Sequence, residues 1–426
     1  MICQHQSAYR RFHSCETALL KIKDDIVYVV DQKTNVLLIL LDLSAAFDTI
    51  DHQQLIKKLK YRYGISGTVL QWFKSYLSDR SFNIGIGKSV SGGKWLTHGV
   101  PQGSILGPIL FILYTSEIEN IASRFGLMIH IFADDTQLYV SFNSDNEAAI
   151  TNRIEQCLLE IKKWTRENFL QLNESKTQVL RIVSKYNMKN RFHNSISISF
   201  DGNIIDTTPY VLNLGVIFDD TLTMAKHVNK ICSTGYHQLS NLWTVASSLK
   251  QGLRKQLVCV LILSRIDYCN SLLYGVNKRE LMKLQRLINA SVRFIYDKKG
   301  QTRNDGFSDL YKQCHILPIQ YRIFFKIALL CHKVLIGESP KYLTMLVKKR
   351  EFTVHTRQSK DTLLLDNLYT EHTKHRENRF SVAAPKVWNR LPFNVRSCKN
   401  TATFKNILKT HYFTEYYCQH RQIIEW

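Results

Sequence analysis

Val36-Leu37-Leu38-Ile39-Leu40-Leu41 is an unbroken apolar run that ends abruptly at Asp42. It is too short to cross a bilayer, which needs ~20 residues. A short apolar run bounded by polar residues reads as a strand buried on both faces of a sheet. Asp42 then stands at the end of a core strand, where a carboxylate is costly unless it is paired or bound to a cation.

The rest of the chain has to build cover for that strand. With 426 residues it is too long for one ordinary domain of ~100–200 residues, so two or three packed units are expected. An apolar fraction of 45% excludes wholesale disorder, and 18 Gly with 7 Pro exclude collagen-like or Pro-rich character. The ten Cys form no CxxC pair, so no zinc ribbon or knuckle is written here and no structural zinc is expected. No basic-then-apolar leader opens the chain and no apolar run spans a membrane. These features predict an intracellular protein with reduced thiols.

Charge is distributed unevenly. Residues 1–220 carry 23 basic and 22 acidic side chains, and residues 221–426 carry 34 and 13. The second half therefore holds +21 of the net +22. Such a surface attracts polyanions through counterion release, which points to nucleic acid, with acidic membrane surfaces next. Lys348, Lys349, Arg350, Lys374 and Arg376 are candidate phosphate contacts. His372 and His375 lack the neighbouring Cys that a zinc site would use.

Pattern along the chain predicts helices over 12–30, 52–61 (opened by Asp51 and Gln54 as a capping box), 68–77, 105–121 and 147–168. The Gly-rich segment 85–103 should be loop and turn. Residues 127–132 and 137–142 flank Ala133-Asp134-Asp135-Thr136 as a hairpin with an acidic bend. Short strands are expected at 177–183, 196–200 and 211–218. Beyond 222 the pattern turns helical, at 224–242, 251–264, 278–296, 320–336 and 401–412, with Pro-containing connections at 340, 385 and 392.

Three acidic residues stand out by placement. Asp42 ends a buried strand, and Asp134 and Asp135 sit at a bend between two apolar strands. Mg²⁺ prefers oxygen ligands and uses one or two carboxylates plus substrate phosphates. Three carboxylates brought together would hold two ions about 3.5–4 Å apart, a clamp for in-line phosphoryl transfer. Taken alone, Asp134-Asp135 also fits an ordinary solvated turn and Asp42 a helix cap.

The segments Asp42-LSAAFDTIDH, Gly99-VPQGSILGPILF and Phe132-ADDTQLY-Val140, in this order, resemble the palm motifs of reverse transcriptases, and more narrowly those of non-long-terminal-repeat (LINE-type, jockey-like) retrotransposons. WTRENFLQLNESKTQ at 164–178, LGVIFDD at 214–220, RIDYCNSLLYGV at 265–276 and FSVAAPKVWNRLP at 380–392 extend the resemblance nearly end to end. It implies an α+β right-hand polymerase with an antiparallel-sheet palm, partial fingers and a helical thumb. The implied divisions are 1–35 as a remnant of fingers, 36–220 as palm with a fingers insertion at about 53–95, 221–300 as thumb and 301–426 as a basic C-terminal region.

Residue roles follow from the same resemblance. Asp42, Asp134 and Asp135 would hold two Mg²⁺ ions, or Mn²⁺, with the Leu43 carbonyl as a further ligand. Lys176 would stabilise the leaving pyrophosphate. Arg10, Phe47, Gln102 and Gly103 would contact the nucleotide, Phe47 as the steric gate against a ribose 2′-hydroxyl. Leu214, Gly215 and Val216 would hold the primer end. The implied partners are an RNA template, a DNA primer and deoxynucleoside triphosphates, in a nuclear or cytoplasmic ribonucleoprotein. The family's Gln-x-Gly-Phe-Arg pattern stands here as Gln6-Ser7-Ala8-Tyr9-Arg10, so a backbone position that favours Gly carries Ala8. The resemblance implies a start inside the fingers, as a 5′-truncated reading frame without an endonuclease region would have. Two other readings are a silent remnant that binds nucleic acid and an RNA-dependent RNA polymerase. Phe47 and the Ala133 that stands in place of Gly before Asp134-Asp135 argue against the latter.

Overall fold

A computed structural model describes residues 3–44, 47–101, 103–183, 196–298, 307–350, 363–366 and 378–419. The chain divides into two compact units, Met1–His13 with Lys33–Val211, and Ser14–Gln32 with Leu212–Trp426. The N-terminal stretch 1–35 thus contributes to both.

The first unit is built on one six-stranded sheet. Its strands are β1 (Asn35–Leu41), β2 (Met128–Phe132), β3 (Asp135–Phe142), β4 (Gln178–Ile182), β5 (Ser197–Phe200) and β6 (Asn203–Thr208), in the order β5-β6-β4-β1-β3-β2. The apolar run is β1, an interior strand, and Val36 to Ile39 are almost wholly buried. All pairings are antiparallel except β4 with β6. Leu37, Ile39 and Leu41 share one face of β1 and join a core with Phe111, Ile118, Ile154 and Trp164 from the helices Leu106–Thr115, Ile118–Arg124 and Glu147–Glu167.

Two expected elements differ. The single helix over 105–121 is two, broken around Ser116-Glu117. Glu117 accepts from Lys58 Nζ at 2.8 Å, Arg62 Nη1 at 2.7 Å and Trp164 Nε1 at 2.6 Å. Those charge-assisted bonds hold the carboxylate below its usual range even though burial opposes them, and they fix the break. Part of the loop 85–103 is strand: Lys94–Trp95 pairs with Ser81–Phe82, and Gly85–Ile86 with Ser89–Val90. The helix His52–Tyr61 opens as expected, with the Asp51 carboxylate accepting from Gln54 N at 2.7 Å.

The second unit is mainly helical. Its longer helices are Cys15–Asp31, Ala225–Thr244, Lys278–Ile295, Ile319–Leu335 and Thr401–Gln419. The segment 251–264 runs as Gln251–Val258, a π turn at Cys259–Leu263, and Ser264–Asp267. Pro385, expected in a connection, lies inside the helix Phe380–Asn389. This unit buries an ion pair. Asp24 is 1% exposed and accepts from Arg379 Nη2 at 3.0 Å and Ser381 N at 2.8 Å. Among the described residues no helix is long and apolar enough to cross a membrane.

Candidate active site

Strand register brings the three carboxylates together. Leu41 of β1 pairs with Thr136 of β3, so the next step along each strand sets Asp42 beside Asp135. In the β2–β3 hairpin Phe132 pairs with Asp135, which leaves Ala133 and Asp134 as the bend. Ala133 takes φ 60°, a left-handed conformation that costs a non-glycine residue roughly 1–2 kcal/mol.

That conformation is held from the N-terminal segment. Gln6 is 2% exposed and its bridge to Ile131 lays the chain along β2. Its Oε1 accepts from Ala133 N at 3.1 Å and from Ala8 N at 2.9 Å, and its Nε2 donates to Ala133 O at 3.5 Å. The sequence pattern that opens at Gln6 suggests a role for Arg10 and none for Gln6. Arg10 Nη1 donates to the carbonyls of Cys3 at 3.0 Å and Gln6 at 2.8 Å, and so braces the same loop. Ala8 is not in the left-handed region, so the Gly-to-Ala departure strains nothing; Tyr9 carries the positive φ, at 56°.

The electrostatics suit a hard cation. Burial and then repulsion from Asp42 raise the pKa of Asp134, while Lys176 opposes the rise. Asp135 is pushed up to about 6 by desolvation and by repulsion from Asp134 and Asp42. Asp42 Oδ2 is buried and accepts no hydrogen bond, and Lys176 Nζ lies 3.1 Å away. Asn173 sets this contact: its N–H donates to Asp42 O at 2.8 Å, and its Oδ1 accepts from Lys176 N at 3.3 Å. Three carboxylates facing one ammonium leave an excess of negative charge, a donor set that fits a divalent ion. Leu43 follows in the short strand Leu43–Ser44, paired with Gln171–Leu172.

The expected nucleotide residues are placed as follows. Phe47 is half-buried and stacks on Phe111 with ring centroids 4.5 Å apart. Its carbonyl accepts from Val100 N at 2.9 Å, which ties the loop after Asp42 to the Gly99 loop. Gly99 has φ +87°, and a Cβ there would lie 2.9 Å from Asp48 O. Gly103 is exposed with φ +81°. Gln102 lies outside the described residues. Asp48, His52, Arg80, His98, Val100 and Pro101 line a cavity of about 310 Å³ here. Arg80 had no sequence signal beyond its charge.

In the second unit Leu214 and Gly215 form a left-handed turn, φ 44° and 79°, ahead of the buried Val216. Tyr268 OH donates to Leu214 O at 2.8 Å, and its ring would meet a Cβ on Gly215 at 3.2 Å. This unit also holds a cavity of about 510 Å³ lined by Lys255, His315, Arg322, Lys326, Lys405 and Lys409 over an apolar floor. Arg322 pairs with Asp267 and Lys326 with Glu16. Lys348, Lys349 and Arg350 are exposed, whereas Lys374, Arg376, His372 and His375 lie outside the described residues.

Comparison with known proteins gives the chain a family and relatives. The family model described as reverse transcriptase (RNA-dependent DNA polymerase) matches residues 1–218, just over half the chain. A probable RNA-directed DNA polymerase from transposon BS of Drosophila melanogaster is 28% identical over 306 residues, 69% of this chain and 32% of that protein. The corresponding protein of the X-element is 28% identical over 60% of this chain and 27% of its own length. The RNA-directed DNA polymerase of the mobile element jockey is 23% identical over 68% and 31%. The chain spans about a third of these relatives. A telomerase structure from Candida albicans is 14% identical over 74% of this chain and 51% of that chain, with a TM-score of 0.35, too low to carry an argument. With its α+β architecture and a family match over residues 1–218, the chain belongs to the reverse transcriptase family.

Proposed function

We propose that this chain extends a DNA primer on an RNA template, using deoxynucleoside triphosphates and Mg²⁺. The observation that carries the reading is the meeting of Asp42 with Asp134 and Asp135 through the β1–β3 register. Reverse transcriptases generally depend on a divalent metal, and Asp42, Asp134 and Asp135, with the Leu43 carbonyl, are the groups that would hold it. Bound there, the ion supplies charge neutralisation and polarisation of phosphate oxygens. The protein's own part is positioning, on which phosphoryl transfer almost wholly depends. Gln6 holds the bend that aims Asp134. Lys176, 66% exposed at its side chain beside Asp42, is free to swing toward a departing pyrophosphate and donate a proton or a charge.

Phe47, seated on Phe111, would close the sugar side of the nucleotide pocket against a 2′-hydroxyl. Gln102, Gly103 and Arg10 would complete that pocket, Gly103 by letting substrate approach the backbone. Residues 1–35 and about 53–95 would serve as fingers, 36–220 as palm and 221–300 as thumb. The turn Leu214-Gly215-Val216, clamped by Tyr268, would hold the primer end. The basic cavity over Lys255 and Lys405 and the exposed Lys348–Arg350 run would take nucleic-acid phosphates without reading sequence. A ribonucleoprotein in nucleus or cytoplasm is the setting this implies.

The test is a primed RNA template with Mg²⁺ and either deoxy- or ribonucleotides. The expected result is deoxynucleotide incorporation that disappears in Asp134→Ala. Binding without extension would identify a silent nucleic-acid-binding remnant instead, and preferential ribonucleotide use an RNA polymerase.

A further inference from the structure

A second cluster of metal-binding side chains lies away from the three carboxylates and plays no part in the proposed reaction. Cys3, His5 and Glu119 each offer one ligand atom, and all three atoms lie within 4.8 Å of one another. His5 Nδ1 and Glu119 Oε1 are 2.5 Å apart, and the Cys3 sulfur lies beside the same carboxylate. Cys3 is 6% exposed and belongs to the hydrophobic core of the first unit.

The scaffold around these ligands is rigid. Glu119 is in the first turn of the helix Ile118–Arg124, whose Ile118, Ile121 and Ala122 are core residues. His5 and Cys3 ride on a segment zipped to β2, where Ile131 N donates to His5 O at 2.9 Å and Ser7 N to Ile131 O at 2.8 Å. The two sides of the cluster are 114 residues apart in sequence, so only folding assembles it. Sulfur, imidazole nitrogen and carboxylate oxygen together suit Zn²⁺, whereas Mg²⁺ prefers oxygen alone. The His5 side chain is 41% exposed, which leaves a solvent side for a water as the fourth ligand.

We propose that Cys3, His5 and Glu119 form a zinc site that fastens the N-terminal strap to the first unit. Binding exchanges the thiol proton, released to solvent, for the metal–sulfur bond, with His5 neutral and Glu119 ionised. The strap it fastens carries Gln6, and Gln6 holds the Ala133 bend. Zinc here would be structural, stiffening the support of Asp134 from a distance.

Co²⁺ titrated into the chelator-treated, reduced chain reads the site directly. The expected result is one equivalent bound, with a thiolate-to-cobalt charge-transfer band, displaced by Zn²⁺ and lost in Cys3→Ala. Zn²⁺ should also raise the melting temperature of the parent and leave that of Cys3→Ala unmoved. Should Cys3→Ala fail to fold, His5→Gln, which alters a ring open to solvent, should shift the cobalt spectrum instead. A folded parent without the band, or a band unchanged in a folded Cys3→Ala or His5→Gln, overturns the proposal. Neither readout depends on polymerase activity, so the site and the catalytic reading stand or fall separately.

Discussion

Gln6 and Ala133 are bonded at both ends of one amide: Gln6 Oε1 accepts from Ala133 N at 3.1 Å and Gln6 Nε2 donates to Ala133 O at 3.5 Å. A side chain at the start of the sequence thereby fixes a left-handed residue 127 positions away, directly before Asp134. Gln6→Ala leaves a buried N–H without its acceptor, at a cost of about 1–3 kcal/mol. Ala133→Gly relieves the backbone strain, so the double variant should regain part of the lost stability. Denaturation midpoints of the parent, both single variants and the double variant measure this. A Gln6→Ala midpoint equal to the parent's would show that the bend holds itself.

The carboxylate pair gives a pH dependence with a definite sign. An acid whose folded pKa lies above its unfolded value holds its proton more tightly when folded. Its contribution therefore favours folding at low pH and fades as pH rises through the folded pKa. For Asp135, raised from 3.8 to about 6, metal-free stability should decline between those two pH values, with Asp134 acting in the same direction. Divalent-ion affinity should climb over that window, because the ion competes with the proton. Melting temperatures from pH 4 to 7, with and without Mg²⁺, provide the measurement. The parent-minus-Asp135→Asn difference isolates the group, and a difference flat in pH would refute the assignment.

Gly99 and Gly103 should respond differently to substitution. Both have positive φ, so alanine at either site is strained by about 1 kcal/mol. At Gly99 the new Cβ would also press on backbone, 2.9 Å from Asp48 O and 3.1 Å from Asp48 Cα, whereas at Gly103 nothing lies within 4 Å. Gly99→Ala should therefore displace the 47–50 loop and cost about 1–3 kcal/mol in all. Gly103→Ala should lower stability less. Equal losses would mean that the Asp48 loop yields freely.

Much of this architecture was legible in the sequence because local pattern decides it. The apolar run Val36–Leu41 became an interior strand, and the acidic hairpin and the long amphipathic helices formed near their expected places. The sequence was silent where long-range partners decide. Glu117 breaks a helix because Lys58, Arg62 and Trp164 converge on it, and no local pattern records that. Gln6, Asn173 and Tyr268 matter through hydrogen bonds to distant backbone atoms. Such contacts have no periodicity to detect. Pro385 misled because a proline usually ends a helix, yet Phe380–Asn389 continues through it.

Asp24 and Arg379 test the second unit by itself. Both are almost fully buried, and Ser381 N and Oγ also donate to the carboxylate. Arg379→Met removes the counter-charge and strands Asp24, at a cost of about 3–5 kcal/mol. Asp24→Asn strands the guanidinium and should be comparably harmful. Replacing both by Met and Leu restores electrical neutrality and should recover most of the loss. Chemical denaturation of the three variants decides it, and two mild single variants would show that water reaches the pair.

Phe47 has an observed packing role and a proposed gate role, and one variant separates them. Its ring stacks on the buried Phe111, so Phe47→Ala should lower stability by about 2 kcal/mol, less than for a fully buried Phe because the side chain is only half-covered. A gate role adds an independent effect, since removing the ring opens space at the sugar and ribonucleotides should be incorporated far more readily relative to deoxynucleotides. Phe47→Leu keeps part of the bulk and should fall between alanine and the parent in both respects. Melting temperature and the ratio of ribo- to deoxynucleotide kcat/KM are read on the same preparations. If the melting temperature drops while the ratio stays fixed across all three proteins, Phe47 is a packing residue and the sugar is excluded elsewhere.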